Sequence, residues 1–314
     1  MPTVSVVIPV YRARHLRAAI ESIRAQTFRD YEIIVVDDGS PDRPELERWL
    51  AGDRDGLQYL KQQNQGPSAA RNTGVRAARG TFVAFLDADD TWEPTYLEEQ
   101  VGALTQPAGL DMSYCNWMTM GIAEPRAYGP TTCASLLRDE CQIILSGVVA
   151  KREAILRAGL FDERFRHGED FDLWLRMLKT GARLEFHRRP LLNRRVHEGS
   201  LSYDTVNHGE KALLVLEKFR ERTDLSGDER AAVEWRLRSL AAEIAIERAK
   251  RAVAKGDFAE ATQAVGDANE FYRSWKLRIL ALLLRLSPRL IARVQHARQR
   301  RQAAAGSQAT AGRP

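Results

Sequence analysis

Three carboxylates, Asp87, Asp89 and Asp90, follow the apolar run Phe82–Leu86. The run has the length and composition of a buried strand. Carboxylates gathered at the end of such a strand repel one another and lose hydration, so a positive partner is expected among them. A divalent cation is the simplest one. Mg²⁺ and Mn²⁺ favour oxygen ligands and commonly share them between one or two carboxylates and the phosphates of a nucleotide. Strand alternation turns Asp87 and Asp89 to one side and Ala88 away. The Asp-x-Asp pair therefore reads as a holder of metal and nucleotide. The competing reading is a solvated acidic turn that caps the next helix, and the tripeptide by itself does not separate the two. Asp90 reads as the N-cap of that helix.

The elements that must position these residues are legible in outline. Val4–Pro9, Glu32–Val36, Leu57–Lys61 and Phe82–Leu86 read as strands. Helical patterns over His15–Gln26, Pro44–Leu50, Pro67–Ala78 and Pro94–Leu104 separate or follow them. Such alternation predicts a mostly parallel α/β sheet flanked by helices, and ligands in these sheets bind beyond the carboxyl ends of the strands. Pro9-Val10-Tyr11, Asp37–Ser40 and Asp87–Asp90 all fall at that rim. Further on, Asp111–Trp117, Ile143–Ala150, Arg183–His187 and Leu191–Val196 read as strands, and Gly121–Thr132 as a loop. Lys151–Ala158 and Glu169–Lys179 read as helices. Glu169–Lys179 has Phe171, Trp174, Leu175 and Leu178 on an apolar face and Asp172 pointing away. Past Tyr203 the patterns are helical, and AKGDFAEA resembles the turn of a tetratricopeptide-type hairpin. One copy reads more simply as a packing appendage. The expected division is a catalytic domain over 1–204, a helical appendage over 205–272, and a basic amphipathic helix with a disordered tail over 273–314.

Composition narrows the class. The 314 residues carry 44% apolar side chains and three cysteines, without a Cys-x-x-Cys pair. A disulfide framework and a zinc site are both disfavoured, and a reducing compartment is expected. The opening MPTVSVVIPVY lacks a basic leader and a long apolar region, which predicts no signal peptide and a cytoplasmic protein. The net charge is +5, yet Arg273–Pro314 contains no acidic residue. Ten of the 47 basic residues lie there, so the first 272 residues hold 37 basic against 42 acidic. The tail reads as a basic helix lying on an anionic membrane surface through 273–301, with packing on the protein as the alternative. Nucleic acid is not expected as a partner, because aromatic interleaving is missing.

Taken in order, Pro9-Val10-Tyr11, Asp37-Asp38-Gly39-Ser40, Asn64-x-Gly66-x5-Asn72-x-Gly74, Asp87-x-Asp89 and Gly168-Glu169-Asp170 resemble the family 2 glycosyltransferases over about Pro2–Tyr203. The resemblance implies a GT-A fold and an inverting, metal-dependent transfer from a nucleotide sugar to a hydroxyl. Saccharides or lipid-linked glycans in cell-surface glycan synthesis are the implied acceptors. Pro9 and Tyr11 resemble the rim of the base pocket, and Asp38 the carboxylate that meets a pyrimidine base. An acceptor-only group suits the N3–H of uracil, which leans toward UDP. Gly66 permits close backbone approach to a ligand. Arg71 is placed to reach the base or the diphosphate, with a surface helix residue as the alternative. Asp87 resembles the ribose or metal contact and Asp89 the metal ligand, for Mn²⁺ or Mg²⁺. Asp170 resembles the catalytic base and Glu169 its acceptor-side neighbour. His197 resembles a position used near the diphosphate or as a third metal ligand, although a lone His is more often structural. Two other readings stay open: a nucleotidyltransferase, which would want a Gly-rich loop where Val10–Arg14 stands, and a nucleotide-binding scaffold without catalysis.

Overall fold

β1 (Val4–Val10) consists largely of Val and Ile, and all of it but Pro9 is buried. Branched side chains suit a pleated strand covered on both faces. β2 (Tyr31–Asp38) and β4 (Phe82–Phe85) flank β1 and run parallel to it, and β3 (Leu57–Gln62) lies beyond β2. Helices α1 (Leu16–Arg24), α2 (Arg43–Ala51) and α3 (Pro67–Ala77) make the connections. The chain steps from β1 outward to β3 and then returns to the other side of β1. This reversal opens a crevice at the carboxyl ends of β1, β2 and β4, the usual ligand position in such sheets. The structure, a computed structural model, describes residues 1–52, 56–106, 109–119, 121–123, 126, 128–196 and 205–286.

The strand order is β3-β2-β1-β4-β8-β6-β9-β5. β5 is Thr91–Trp92, β6 Met112–Thr119, β8 Val148–Lys151 and β9 Leu184–Arg194, while β7 (Ile122–Ala123) pairs with β6. β8 is antiparallel to β4 and β6, β5 is antiparallel to β9, and β6 and β9 run parallel. The sheet is thus mixed but mostly parallel, as expected. Helices α4 (Tyr96–Thr105), α5 (Cys133–Leu137), α6 (Arg152–Arg157) and α7 (Glu169–Lys179) complete this part. The core joins β1, β2 and β4 to α1 and α4 through residues such as Ile8, Ile20, Ile33, Leu86 and Leu97. α3 lies so close to β1 that a Cβ on Gly74 would sit 2.3 Å from Val7 Cγ1. Cys115, Cys133 and Cys141 are buried free thiols.

Several boundaries differ from expectation. Arg183–His187 and Leu191–Val196 belong to one strand, β9, whose pairing with β6 is irregular around Asn116. Ile143–Ala150 is not one strand: a 3-10 turn, Leu145–Gly147, precedes β8. The expected loop after Gly121 yields β7, and α5 follows it under a Thr132–Ser135 capping box. On α7 the expected apolar face is shifted. Leu173, Trp174, Leu175 and Met177 are buried, and so is Asp172, which Arg176 Nε approaches at 2.8 Å and Lys218 Nζ at 2.6 Å.

The chain divides into two compact units, Met1–Tyr203 with Leu214–Val233, and Asp204–Leu213 with Glu234–Pro314. Helix α8 (Thr205–Arg220) and helix α9 (Gly227–Lys255) each contribute to both. Within the first unit, Lys218 also donates to Asp162 at 2.8 Å, so the end of α8 is ion-paired to the back of α7. In the second unit α9 ends at Gly256, where φ is +80°, and Asp257 caps α10 (Phe258–Tyr272) by accepting the Glu260 N–H at 2.9 Å. α11 (Trp275–Leu286) packs Leu277, Leu280, Ala281 and Leu284 into a core of small α9 and α10 residues. Among the described residues no helix is long and apolar enough to cross a membrane.

Candidate functional site

β2 ends in two buried carboxylates with separate environments. Asp37 accepts from Ser40 N at 2.7 Å, Arg43 Nε at 2.6 Å and Tyr59 Oη at 2.7 Å. Burial works to raise its pKa, but the bonds from Arg43, Ser40 and Tyr59 prevail and hold it at about 2. A carboxyl whose pKa is lowered by folding stabilises the protein above its unfolded value near 3.8, and that contribution fades as pH falls toward 2. The stability gap between the wild type and Asp37→Asn, read from urea midpoints, is therefore expected to narrow by about 1–2 kcal/mol between pH 6 and pH 2.5. A gap that stays constant with pH would show that the network does not hold the ion.

Asp38 ties a loop instead. Its Oδ1 accepts from Gln62 Nε2 and Gln65 N, and its Oδ2 from Gly66 N, each at 2.8 Å. Asp38 thereby ties the Asn64–Gly66 loop to the end of β2. Gly66 has a φ of +94°, which only glycine adopts without strain, and Pro67 opens α3 directly after it. The Arg166 side chain lies 3.6 Å from where a Cβ on Gly66 would stand. Pro9 is half-buried at the end of β1, and Tyr11 beyond it is 48% exposed.

One turn into α3, Arg71 is buried. Nη1 donates to Glu169 Oε1 at 2.6 Å and Nη2 to Asp87 Oδ1 at 2.7 Å. The guanidinium also lies over the Phe161 ring, 5.8 Å from its centroid. Burial works against the charge on Arg71, but Asp87 and Glu169 outweigh it and raise its pKa. Its Nε is buried with no hydrogen-bond partner. Both Nη groups are thus engaged by carboxylates. The sequence offered a nucleotide contact or a surface position for Arg71; its burial rules out the surface position.

The Asp87–Asp90 segment is a turn closed by the Asp90 N–H on the Asp87 carbonyl at 3.1 Å. Asp87 N donates to Ser146 Oγ at 3.1 Å, and the Asp87 side chain is 38% exposed. Asp89 is half-buried. Asp90 is not the cap of the next helix, because α4 begins at Tyr96. It is buried and accepts the Arg195 N–H at 2.9 Å, which pins the end of β9 to the acidic turn. Burial first, and then the charge of Asp87, pushes the Asp90 carboxyl up to about 7.

α7 enters the site through Gly168, whose φ is +73°. Glu169 is buried and Asp170 half-buried. Asp170 accepts its neighbour Phe171 N–H at 2.7 Å. Burial, then the adjacent Glu169 charge, pushes Asp170 up to about 7, against the opposing pull of that N–H and of Arg71. Asp87 adds to the upward push. Asp87, Arg71, Glu169 and Asp170 therefore share one electrostatic neighbourhood. His197 lies outside the described residues. Sequence reasoning missed Ser146, Arg166 and Arg195. The isolated Ser146 and the two arginines carry no local signal of a rim position.

Residues 5–129 match the family described as Glycosyl transferase family 2. An uncharacterized glycosyltransferase of Rickettsia typhi is 30% identical over 222 residues, 67% of this chain and 69% of that protein. The Escherichia coli protein WfgD, named a UDP-Glc:alpha-D-GlcNAc-diphosphoundecaprenol beta-1,3-glucosyltransferase, is 32% identical over 181 residues, 56% of this chain and 70% of its own length. Among solved structures, S. aureus TarS 1-349 in complex with UDP-GlcNAc superposes with a TM-score of 0.63 at 18% identity, covering 93% of this chain and 88% of that one. The mannosyltransferase PcManGT of Pyrobaculum calidifontis, in complex with GDP-Man and Mn²⁺, gives 0.65 at 19% identity, covering 94% and 84%. At these identities the solved structures speak for the GT-A fold. The two sequence relatives, each aligned over more than two thirds of its own length, carry the stronger statement: this chain is a glycosyltransferase of family 2.

Proposed function

We propose that the enzyme moves a sugar, with inversion, from a nucleoside diphosphate sugar to an acceptor hydroxyl, with UDP as the favoured nucleotide. The observation that carries this reading is the Arg71 bridge, 2.7 Å from Asp87 and 2.6 Å from Glu169. It joins the strand-end carboxylates, on the donor side, to the helix that presents Asp170, on the acceptor side.

Asp87 and Asp89 suit a divalent cation, Mn²⁺ or Mg²⁺. Asp87 keeps part of its carboxylate exposed, in a turn where burial and then the Asp87 charge push the Asp90 carboxyl up. Among the described residues no three or more His, Cys, Asp or Glu side chains form a ready metal cage. A cation held mainly by a donor's phosphates needs only one or two carboxylates. When bound, it supplies positive charge against the departing diphosphate.

The chain's own groups supply the rest. Tyr11, Pro9 and Asp38 line the base end of the crevice, and Asp38, with three hydrogen bonds accepted, has about one lone pair left for a base N–H. The Gly66 turn admits the nucleotide close to the backbone. Asp170 takes the acceptor hydroxyl's proton as that oxygen attacks the anomeric carbon. A single displacement requires one such base and no paired acid. Arg71 positions Asp87 and Glu169. A saccharide or lipid-linked glycan offers a hydroxyl of the required kind, and the name of the E. coli relative supports a lipid-linked one and a UDP donor.

The test is a panel of UDP-, dTDP- and GDP-sugars with Mn²⁺ and the full chain. Release of UDP from one donor is expected. Asp89→Ala is expected to lose transfer and to weaken Mn²⁺-dependent UDP binding at least 10-fold by calorimetry, with an unchanged circular dichroism spectrum. Full turnover by that variant, or pyrophosphate release from a nucleoside triphosphate and a sugar phosphate, would refute the reading.

A further inference from the structure

α11 has two apolar faces. The inner one, Leu277, Leu280, Ala281 and Leu284, repeats at i, i+3, i+4 and i+7 and packs into the core of the second unit. The outer one is Trp275, Ile279, Leu282, Leu283 and Leu286, with exposures of 66, 46, 54, 37 and 70%. At 100° per residue these five side chains centre opposite the inner face. The remaining side chains of the helix are cations: Lys276 on one flank of the outer stripe, Arg278 and Arg285 on the other. The sequence suggested a basic amphipathic helix; over Trp275–Leu286 the helix has apolar stripes front and back, with the cations between them.

The inner face is the one that packs, with Leu284 buried and Leu277, Leu280 and Ala281 half-buried, so packing in this unit gives no reason for the outer stripe. Five large apolar side chains on neighbouring turns form a contiguous patch, and such patches mark interaction sites. The flanking charges select the partner. A second copy laid on the same face would bring Lys276, Arg278 and Arg285 against their equivalents or close to them, with no acid on α11 itself to offset the repulsion. No acidic residue occurs from Arg273 to Pro314. An anionic lipid surface meets both halves of the pattern: the apolar stripe enters the acyl boundary, and the flanking cations extend their charged ends to the head groups. Trp275, at the start of the helix, is a residue type favoured at that boundary. The described part of the helix is too short to span, at ~18 Å against a hydrocarbon core of about 30 Å.

We propose that the outer face of α11 docks the enzyme on an anionic bilayer surface. The surface is independent of the sugar-transfer reading, since vesicle binding and transfer can fail separately.

The experiment is co-sedimentation of the full chain with vesicles of phosphatidylcholine, with and without one third phosphatidylglycerol. Binding to the anionic vesicles, weakened by salt, is expected, with at least 10-fold less binding to the neutral ones. The exposed pair Ile279→Glu and Leu282→Glu is expected to lower anionic binding at least 10-fold while leaving the thermal midpoint and light-scattering mass unchanged. Lys276→Gln with Arg278→Gln is expected to weaken it less. Failure of the full chain to bind, equal binding to neutral vesicles, or unchanged binding by the glutamate pair would each overturn the proposal. So would a dimer abolished by the glutamate pair, which would assign the face to a second copy. Binding that appears only after residues 287–314 are removed would assign it to the chain's own end.

Discussion

Replacing Asp170 with asparagine is expected to lower kcat by about 10²–10⁴-fold, the usual range for loss of a general base. The substitution keeps the size of the side chain and an oxygen able to accept the Phe171 N–H, now 2.7 Å away. It removes only the ability to take a proton, so the donor KM is expected to change little. A second readout separates this role from a structural one. Burial and the Glu169 charge raise the Asp170 pKa from 3.8 to about 7, so its contribution to stability is lost as pH rises through that interval and the loss is complete above 7. Asp170→Asn is therefore expected to melt higher than the wild type at pH 8, with the difference shrinking at pH 5. The wild-type kcat/KM is expected to fall below about pH 7, where the base becomes protonated. Turnover within a few-fold of wild type in the asparagine variant would remove Asp170 from the mechanism. Loss of both activity and stability would make it a structural acid.

The main strands were legible because their apolar runs are local. β1, β2 and β4 are continuous in sequence, and their length alone marks them. β5 is two residues long, and its pairing with Asn193 and Leu192 lies about a hundred positions away, beyond any local pattern. β9 reads as two strands because Arg188, Arg189 and Pro190 interrupt it, and the irregular pairing at Asn116 absorbs that interruption. The site divides in the same way. Asp38, Asp87 and Asp170 follow from their places at element ends. The burial of Arg71 does not, because the acids that neutralise it are 16 and 98 residues away. Helical periodicity placed Asp172 away from the rim, but its burial was hidden for the same reason. Lys218, 46 residues later, completes the pairing that Arg176, one turn along α7, begins. Charged residues are thus the ones a linear reading misjudges, since what decides their exposure is a partner far along the chain.

Arg71→Met is expected to destabilise the fold by about 3–5 kcal/mol near pH 7.5, the usual cost of breaking a buried ion pair from one side. Arg71 and Glu169 have side chains only 5 and 8% exposed, so the loss strands a buried carboxylate with little water to replace its partner. Pairing the change with Glu169→Gln removes the stranded charge and is expected to restore most of the stability at pH 7.5. Transfer should not return with it. The bridge to Asp87 would still be missing, and Asp87 would no longer be fixed relative to α7. Arg71→Lys distinguishes charge from shape, because an ammonium group cannot reproduce the planar fork that engages two carboxylates at once. That variant is expected to fold at close to wild-type stability yet lose at least 10-fold in kcat. If the double variant regained both stability and transfer, Arg71 would be a structural cation alone. If Arg71→Lys kept full activity, the fixed geometry of the bridge would be irrelevant to the reaction.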